Sequence, residues 1–438
     1  MSKRFVRFFA TTLGAILLLG ILAACGAGTT ANNGTPNSTV TIKIATDFPV
    51  SGQDESSGKP AENGAHLAVD QANASHLLGN GYQLVFDPQD DVGASQVHDP
   101  SVGANNVTKL IDDAEVAGIV GPFNSSVAES ELPISNAAPI VQISPANTNT
   151  CLTQNDPSTG CTGSNNLVPK MRPSGKVTYF RTATTDTHQG GVGADFSYKT
   201  LGLKAAYVID DTELYGVGLA NNFVSEFQKD GGKILGHDSI ASTTDYSQEL
   251  TKIAALKPAF IYFAGLDSTG GINIAKQMSK TPGLAQIMVG GDGLQTGAFA
   301  SAVGANGATV YSTVASVDAT KLSSAATFIK QYDDAYGAAA FGAYSAQAYD
   351  DTEILLNAIK AAIQSGAKPA ANSSDRAGAN SFRQAVIDQV AKTDYNGVTG
   401  HQSFDSNGDT TNKTVTVYKL GEVSGSAGWA YVTSQTLK

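Results

Sequence analysis

The chain has 438 residues, with 28 Lys and Arg against 39 Asp and Glu, and a formal charge of −11 at neutral pH. An acidic chain without a basic stripe is repelled by phosphate backbones, which excludes nucleic-acid binding. The length beyond an export leader suffices for two lobes of ordinary domain size.

Residues 1–24 read as that leader. Lys3, Arg4 and Arg7 precede an apolar core over 8–22, shorter than the roughly 20 residues of a spanning helix, and small residues lead to Cys25. Leu22-Ala23-Ala24-Cys25 resembles the lipobox of a bacterial lipoprotein. The resemblance implies cleavage before Cys25, acylation of its thiol, and an extracytoplasmic protein tethered to the membrane by lipid. The other reading is a short anchor that is never cut. Loss of residues 1–24 takes the formal charge to −14. From 26 to 39 the chain reads Gly, Ala, Thr, Asn, Pro and Ser without an apolar period, a flexible tether with an r.m.s. reach of about 20 Å; residues 25–40 form the tethering segment. No later apolar run is long enough to cross a membrane.

At Thr41 short apolar runs begin to alternate with amphipathic stretches, the rhythm of a parallel α/β sheet. Strands are expected at 42–46, 82–87, 116–120 and 140–143, with helices at 60–74 and 105–113. A second set starts near Tyr179, with strands at 205–209, 233–235, 259–263 and 287–289 and helices at 187–201, 215–229, 246–256 and 271–279. Long helices at 325–336 and 345–364 follow, then a Gly, Pro, Ala and Ser-rich break over 366–380, a further helix, and a β-rich tail at 414–420 and 429–432. The pattern predicts two doubly wound parallel-sheet lobes whose strand ends face a shared crevice, where α/β folds bind small molecules.

Two cysteines remain besides Cys25. Cys151 and Cys161 flank a Gly, Pro, Asn and Ser-rich loop in an oxidising compartment, and they are expected to pair, fixing that loop with about 2 to 3 kcal/mol. Two cysteines with no nearby histidine cannot form a zinc cage, and no metal or cofactor is expected.

The crevice segments carry chemistry. The run Val120 to Ser126 leads from a strand into a helix start, so the Ser125 and Ser126 hydroxyls and the free backbone N–H groups there suit a carboxylate; alternatively a serine caps its own helix. Ile143 to Thr148 repeats the arrangement one strand on, adding the Thr148 hydroxyl, or is a polar turn. Gly290-Gly291-Asp292-Gly293 sets one carboxylate among glycines that allow close backbone approach, either to pair with an ammonium group or as a turn acid. Tyr215 opens a helix after Asp210-Asp211 and either bonds a ligand or packs the helix start.

Several pieces, in order and spacing, resemble the branched-chain amino acid binding proteins of ABC transporters, within the type I periplasmic binding protein superfamily. They are Asn63-Gly64-Ala65 with Leu67-Ala68-Val69-Asp70, Val120-Gly121-Pro122 with Ser125-Ser126, Ile143-Ser144-Pro145-Ala146, Phe180-Arg181-Thr182, Tyr215-Gly216, Gly290 to Gly293, Ala348-Tyr349-Asp350, and Gly397-Val398-Thr399-Gly400 with Phe404-Asp405. The resemblance runs from Thr41 to Lys438. It implies that Ser125 and Thr148, helped by the backbone at Ser126 and Ala146, hold an α-carboxylate, that Asp292 takes the α-ammonium, and that Tyr215 closes over the ligand. It further implies a three-crossing hinge, with one lobe of residues 41–178 plus 312–410 and another of 179–311 plus 411–438. The protein would then be a monomeric solute-binding lipoprotein that delivers a small amino acid or amide to an ABC permease and ATPase.

Departures bear on the ligand. Where leucine-type binders place an aromatic, the loop 51–58 offers small, polar and acidic residues, with Ser57 at the matching place, and Leu266-Asp267 stands where a tyrosine is expected. The segments 97–103 and 151–176 fall outside the pattern. Two other classes compete. A receptor subunit for a signalling partner would use the same cleft. A surface hydrolase would need a catalytic motif; no His stands in H-E-x-x-H spacing, and neither G-x-S-x-G nor a phosphate loop occurs. His188 reads as a solvated loop residue and Asp405 to Asp409 as a tight turn rather than a calcium loop.

Overall fold

The computed structural model describes residues 39–437; the expected leader, the lipidation site Cys25 and nearly all of the tether lie outside them. In chain order come β1 (Val40–Phe48), α1 (Glu55–Ala74), β2 (Tyr82–Asp90), α2 (Pro100–Asp112), β3 (Val116–Val120), α3 (Ser125–Ala137), β4 (Val141–Ser144), the short α4 (Val168–Met171) and β5 (Tyr179–Arg181). A second run follows: α5 (Asp186–Asp195), β6 (Ala205–Asp210), α6 (Leu214–Lys229), β7 (Lys233–Ser239), α7 (Ser247–Leu256), β8 (Phe260–Ala264), α8 (Ile272–Met278), β9 (Ile287–Gly290), α9 (Gly297–Val303) and β10 (Thr309–Val314). The chain closes with α10 (Ala326–Tyr336), α11 (Ser345–Gln364), α12 (Arg376–Val390), the hairpin β11 (Asp394–Gly397) and β12 (Gly400–Ser403), and the ribbon β13 (Val415–Val423) and β14 (Ser426–Gln435).

Two sheets organise these elements. The first is parallel, in the order β2-β1-β3-β4-β5, and the second runs β14-β13-β10-β9-β8-β6-β7, parallel except that β13 is antiparallel to both β10 and β14. β3 and β8 are buried along their whole length, which is why they read as unbroken apolar runs rather than as alternation. The first core joins Ile42 and Ile44 of β1 to Val69 of α1, Leu355 and Ile359 of α11 and Val386 of α12, so the late helices return to cover the first sheet. In the second lobe Phe223 of α6 stacks on Tyr262 of β8 with ring centroids 3.6 Å apart. Among the described residues no helix is long and apolar enough to cross a membrane.

Several elements differ from the sequence reading. α1 starts at Glu55, so Ser57 sits in its first turn rather than on an open loop, and Pro60 is accommodated inside the helix. The segment 97–103 supplies the start of α2, where Asp99 accepts a cap bond from Ser101 N at 2.8 Å. The expected change of lobe at 179 falls early: Arg181 of β5 pairs with Ser144 of β4, so the first sheet continues through Arg181. The expected return at 312 also falls early, because β10 stays in the second sheet through Val314. Cys151 and Cys161 form a disulfide in the loop after β4.

Arg181 explains the first of these shifts. Its guanidinium is wholly buried and donates through Nε to Asp409 Oδ1 (2.7 Å), through Nη1 to the carbonyls of Asn147 (3.2 Å) and Asn149 (2.8 Å), and through Nη2 to Thr153 Oγ1 (2.6 Å). Asp409 also accepts from Thr153 Oγ1 at 2.8 Å and Gln154 Nε2 at 2.7 Å. Burial works against its charge, but Arg181 and these donors hold its carboxyl below the usual range. The turn 405–409 is therefore closed by an internal ion pair, with Asp405 Oδ1 accepting from Asn407 N and Asp409 N. Breaking a buried pair leaves one charge uncompensated. Asp409→Asn is expected to cost about 3 kcal/mol or more in urea denaturation, whereas Asp334→Asn, at an exposed pair with Lys330, should change stability by less than about 1 kcal/mol.

Candidate functional site

The site is built at the strand ends of both sheets. After β3, Gly121 has φ 136° and a side chain there would strike the Asp47 carbonyl, so the turn into α3 needs glycine. Asn124 is the residue before the first helical turn and makes no side-chain cap bond; Ser125 and Ser126 are the first two residues inside α3. The helix start is thus left with unpaired N–H groups at its positive end. Ser125 is buried and Ser126 half-buried.

The turn after β4 is stitched to this one. Ser144 Oγ donates to the Pro122 carbonyl (2.7 Å) and accepts from Asn147 N (3.0 Å) and Ala146 N (3.3 Å), while Asn147 Nδ2 donates to the Phe123 carbonyl at 2.6 Å. Ala146 and Thr148 are buried, and the Thr148 hydroxyl has no hydrogen-bond partner among the described residues.

From the second lobe, Asp292 lies just past β9. Its Oδ1 accepts from Tyr215 Oη at 2.9 Å and from Gln189 Nε2, which also donates to the Thr313 carbonyl at 2.9 Å. A side chain at Gly291 would overlap the Tyr215 hydroxyl, which explains the close glycine backbone. Tyr215 and Asp292, noted separately in the sequence, therefore meet in one bond. Burial pushes the Asp292 carboxyl up despite those two donors.

One candidate site residue escaped the sequence reading. Asp186 opens α5, is fully buried, and neither carboxylate oxygen has a hydrogen-bond partner among the described residues. Burial pushes its carboxyl up to about 8, the nearby Thr148 hydroxyl opposing the rise and the Asp292 charge adding to it. Its backbone N–H donates to the Thr148 carbonyl at 2.7 Å, so Asp186 is fastened beside the Thr148 turn. An Asp one residue ahead of an expected helix at 187 has the pattern of an ordinary cap, and that pattern hides it. His188 lies within α5, half-buried and pushed down to about 4 by burial, rather than in a solvated loop.

The arrangement has two poles. One is acidic, with Asp186 and Asp292 buried close together among the hydroxyls of Tyr215, Tyr262 and Tyr344, whose titrations respond to both acids. The other offers donors at the start of α3 and at Thr148. A groove of about 940 Å³ lies along a flank between the lobes, with Glu55, Lys59, Gln295, Phe341 and Trp429 in its walls and none of the polar site residues. Volume and chemistry thus point to different places. Buried polar atoms without partners cost about 1–3 kcal/mol each unless something satisfies them, and the convergence of Asp186, Thr148 and Asp292, rather than groove volume, marks the candidate site.

Residues 41–427 match the profile of a family described as periplasmic binding protein. The Leu/Ile/Val-binding protein BraC3 of Rhizobium johnstonii is 28% identical over 286 residues, which is 64% of this chain and 69% of that protein. The branched-chain amino acid transporter substrate-binding protein LivJ of Streptococcus pneumoniae, solved in complex with isoleucine, is 25% identical with a TM-score of 0.69, covering 90% of this chain and 99% of that one. The leucine-binding protein LivK of Thermotoga maritima shares the fold with a TM-score of 0.70 at 23% identity, over 90% of this chain and 98% of its own.

Coupling between the two acids can be measured without a ligand. Carboxyl NMR titration should place Asp186 near 8, and Asp292→Asn should lower it by removing the adjacent charge. An Asp186 resonance that titrates in the ordinary carboxylate range would mean that the two acids are not enclosed together.

Proposed function

The chain belongs to the periplasmic binding protein family, and from that premise we propose that it captures a small amino acid in the cleft between its lobes for delivery to an ABC importer. The observation that carries this reading is the pair of buried acids set against unpaired donors. A zwitterion supplies an ammonium for Asp186 and Asp292 and a carboxylate for Thr148 Oγ1, the Ser125 hydroxyl and the N–H groups of α3. Each contact is charge-assisted, and a shut cleft strengthens both by excluding water.

Ser126 and the Ala146 backbone contribute at the carboxylate end, although Ala146 N already donates to Ser144 Oγ. Tyr215 orients Asp292 through its hydroxyl. Hinge bending over the three crossings closes the lobes on the ligand, and the closed form is the one a permease and its ATPase receive. Acylation at Cys25 holds the monomer at the outer face of the membrane. Periplasmic binding proteins act outside the cytoplasm, which agrees with the export signal. The relatives named for leucine, isoleucine and valine support a branched-chain or related side chain, and simple amides share the donor and acceptor pattern in part.

A thermal-shift screen against the twenty L-amino acids, simple amides, urea and short peptides tests the reading. Ligand at a hundred times its dissociation constant adds about 2.7 kcal/mol, enough to raise the midpoint by a few degrees in a chain of this size. Asp292→Ala should abolish the response with the fold intact, and an unchanged affinity would remove Asp292 from the site.

Binding should also move protons. Near neutral pH the ligand-free Asp186, held up at about 8, is largely protonated, and an arriving ammonium favours its charged form, so protons are released. Calorimetry in buffers of different ionisation heat should detect this release, and Asp186→Asn should lose it. A bound ligand that releases no proton would point to a neutral amide or urea instead.

A further inference from the structure

A second contact joins the lobes away from the hinge. Asp54 lies in the turn between β1 and α1 of the first lobe, and Ser268 lies in the turn after β8 of the second. Ser268 Oγ donates to Asp54 Oδ1 at 2.5 Å. The other carboxylate oxygen, Oδ2, accepts from His98 N at 2.9 Å and lies 2.8 Å from His98 Nδ1. Both Asp54 and His98 are buried. His98 comes from the segment ahead of α2 that the sequence left without a role. Neither Asp54 nor Ser268 stands on a segment that passes between the lobes, so chain continuity does not hold them together.

We propose that Asp54 and Ser268 form the latch that holds the lobes shut over the ligand, and that His98 is the positioning residue that keeps Asp54 aimed across the cleft and offsets its charge. The inference rests on the solute-capture reading, since it assigns the contact to the closed form. The need for an offset follows from what faces Asp54 and His98. The second lobe presents Asp211, Glu213 and Asp267 toward them, and Asp91 and Asp99 lie on the same side as His98. Without a cation, Asp54 would meet like charge across the cleft. A protonated His98 converts that repulsion into a charge-assisted bond.

The titration direction agrees. Burial works against the charged ring, but the bond to Asp54 and its charge outweigh it, with Glu213 and Asp211 adding, so the His98 value is raised. A raised histidine contributes fully below its ordinary value, and the contribution is lost as pH rises through the raised one. Closure should therefore weaken on the alkaline side. Burial pushes Asp211 and Asp267 up only to about 6, but Asp91 is raised further by burial and its acidic neighbours and Asp186 of the cleft lies near 8, so the His98 contribution is read as the difference between the wild-type profile and that of His98→Gln.

Small-angle X-ray scattering of the intact protein, with and without saturating L-isoleucine, reads the ratio of closed to open molecules. In Ser268→Ala that ratio should fall about tenfold near pH 7, as expected for loss of one hydrogen bond to a charged group. In the wild type the ratio should fall as pH rises above the ordinary histidine range. His98→Gln, which can still donate to Asp54 but carries no charge, should close at no pH more than the wild type does at its alkaline end, and its profile should lack the step that His98 contributes. A closed population that Ser268→Ala leaves unchanged, a wild-type profile identical to that of His98→Gln, or a wild type that never closes in either condition overturns the latch. Solute capture is judged separately by the thermal-shift screen: silence there, alongside Ser268-dependent closure without ligand, would sink capture and leave the latch standing.

Discussion

The buried ion pair between Arg181 and Asp409 is the constraint on which the site depends. A guanidinium taken wholly out of water carries a large desolvation cost, and it is tolerable here because Arg181 Nε, Nη1 and Nη2 all find acceptors and Asp409 receives additional donors. The network ties together the end of β5, the turn that carries Thr148, and the third passage of the chain near Thr410. With the carbonyls of Asn147 and Asn149 consumed by Arg181, the intervening Thr148 is fixed and its hydroxyl is left without a partner. Five residues after Arg181 the chain delivers Asp186 to the same place. One structural charge pair therefore sets the positions of a hydroxyl and a carboxyl that lie side by side in the candidate site.

The acids of the site are held in an unfavourable state on their own. Asp186 has no partner for either oxygen, and Asp292 has two donors that do not offset its burial. Two carboxyls enclosed together cannot both ionise cheaply, and on the capture reading the proton held there is displaced by the ligand's ammonium. This is the expected signature of a site organised for a charged guest, because the strain is relieved only when that guest arrives. Tyr215 and Gln189 limit how far Asp292 can move in the meantime. Preorganisation of this kind lowers the ordering cost of binding.

Much of the fold was legible because fully buried strands leave a plain record. The runs at β3 and β8 announce themselves through continuous apolar residues, and β10 does not, because Ser312 and Thr313 are buried polar residues that spend their hydroxyls on the carbonyls of Gly291 and Gly290. β5 has three residues, too few for a period, and its membership in the first sheet is decided by Arg181 and not by local propensity. In the site, the glycines around Asp292 and the serines at the start of α3 carried a local signal. Asp186 carried none, since its character comes from burial against an acid more than a hundred residues away. The bond between Tyr215 and Asp292 is likewise a tertiary fact that no spacing in the chain encodes.

The same distinction bears on ligand choice. With Ser57 taken up in the first turn of α1, the loop 51–58 is not an open rim short of an aromatic cover but the base of a helix that points Asp54 across the cleft. Opposite it, Asp267 accepts from Thr296 Oγ1 within its own lobe, and Ser268 is free to reach Asp54. Closure at this edge is thus governed by charge and hydrogen bonding rather than by apolar contact. On the solute-capture reading, a cleft shut in this way selects first for a guest that meets the buried polar groups of both lobes. Side-chain preference is then a smaller difference, of the order of 1–3 kcal/mol per methylene.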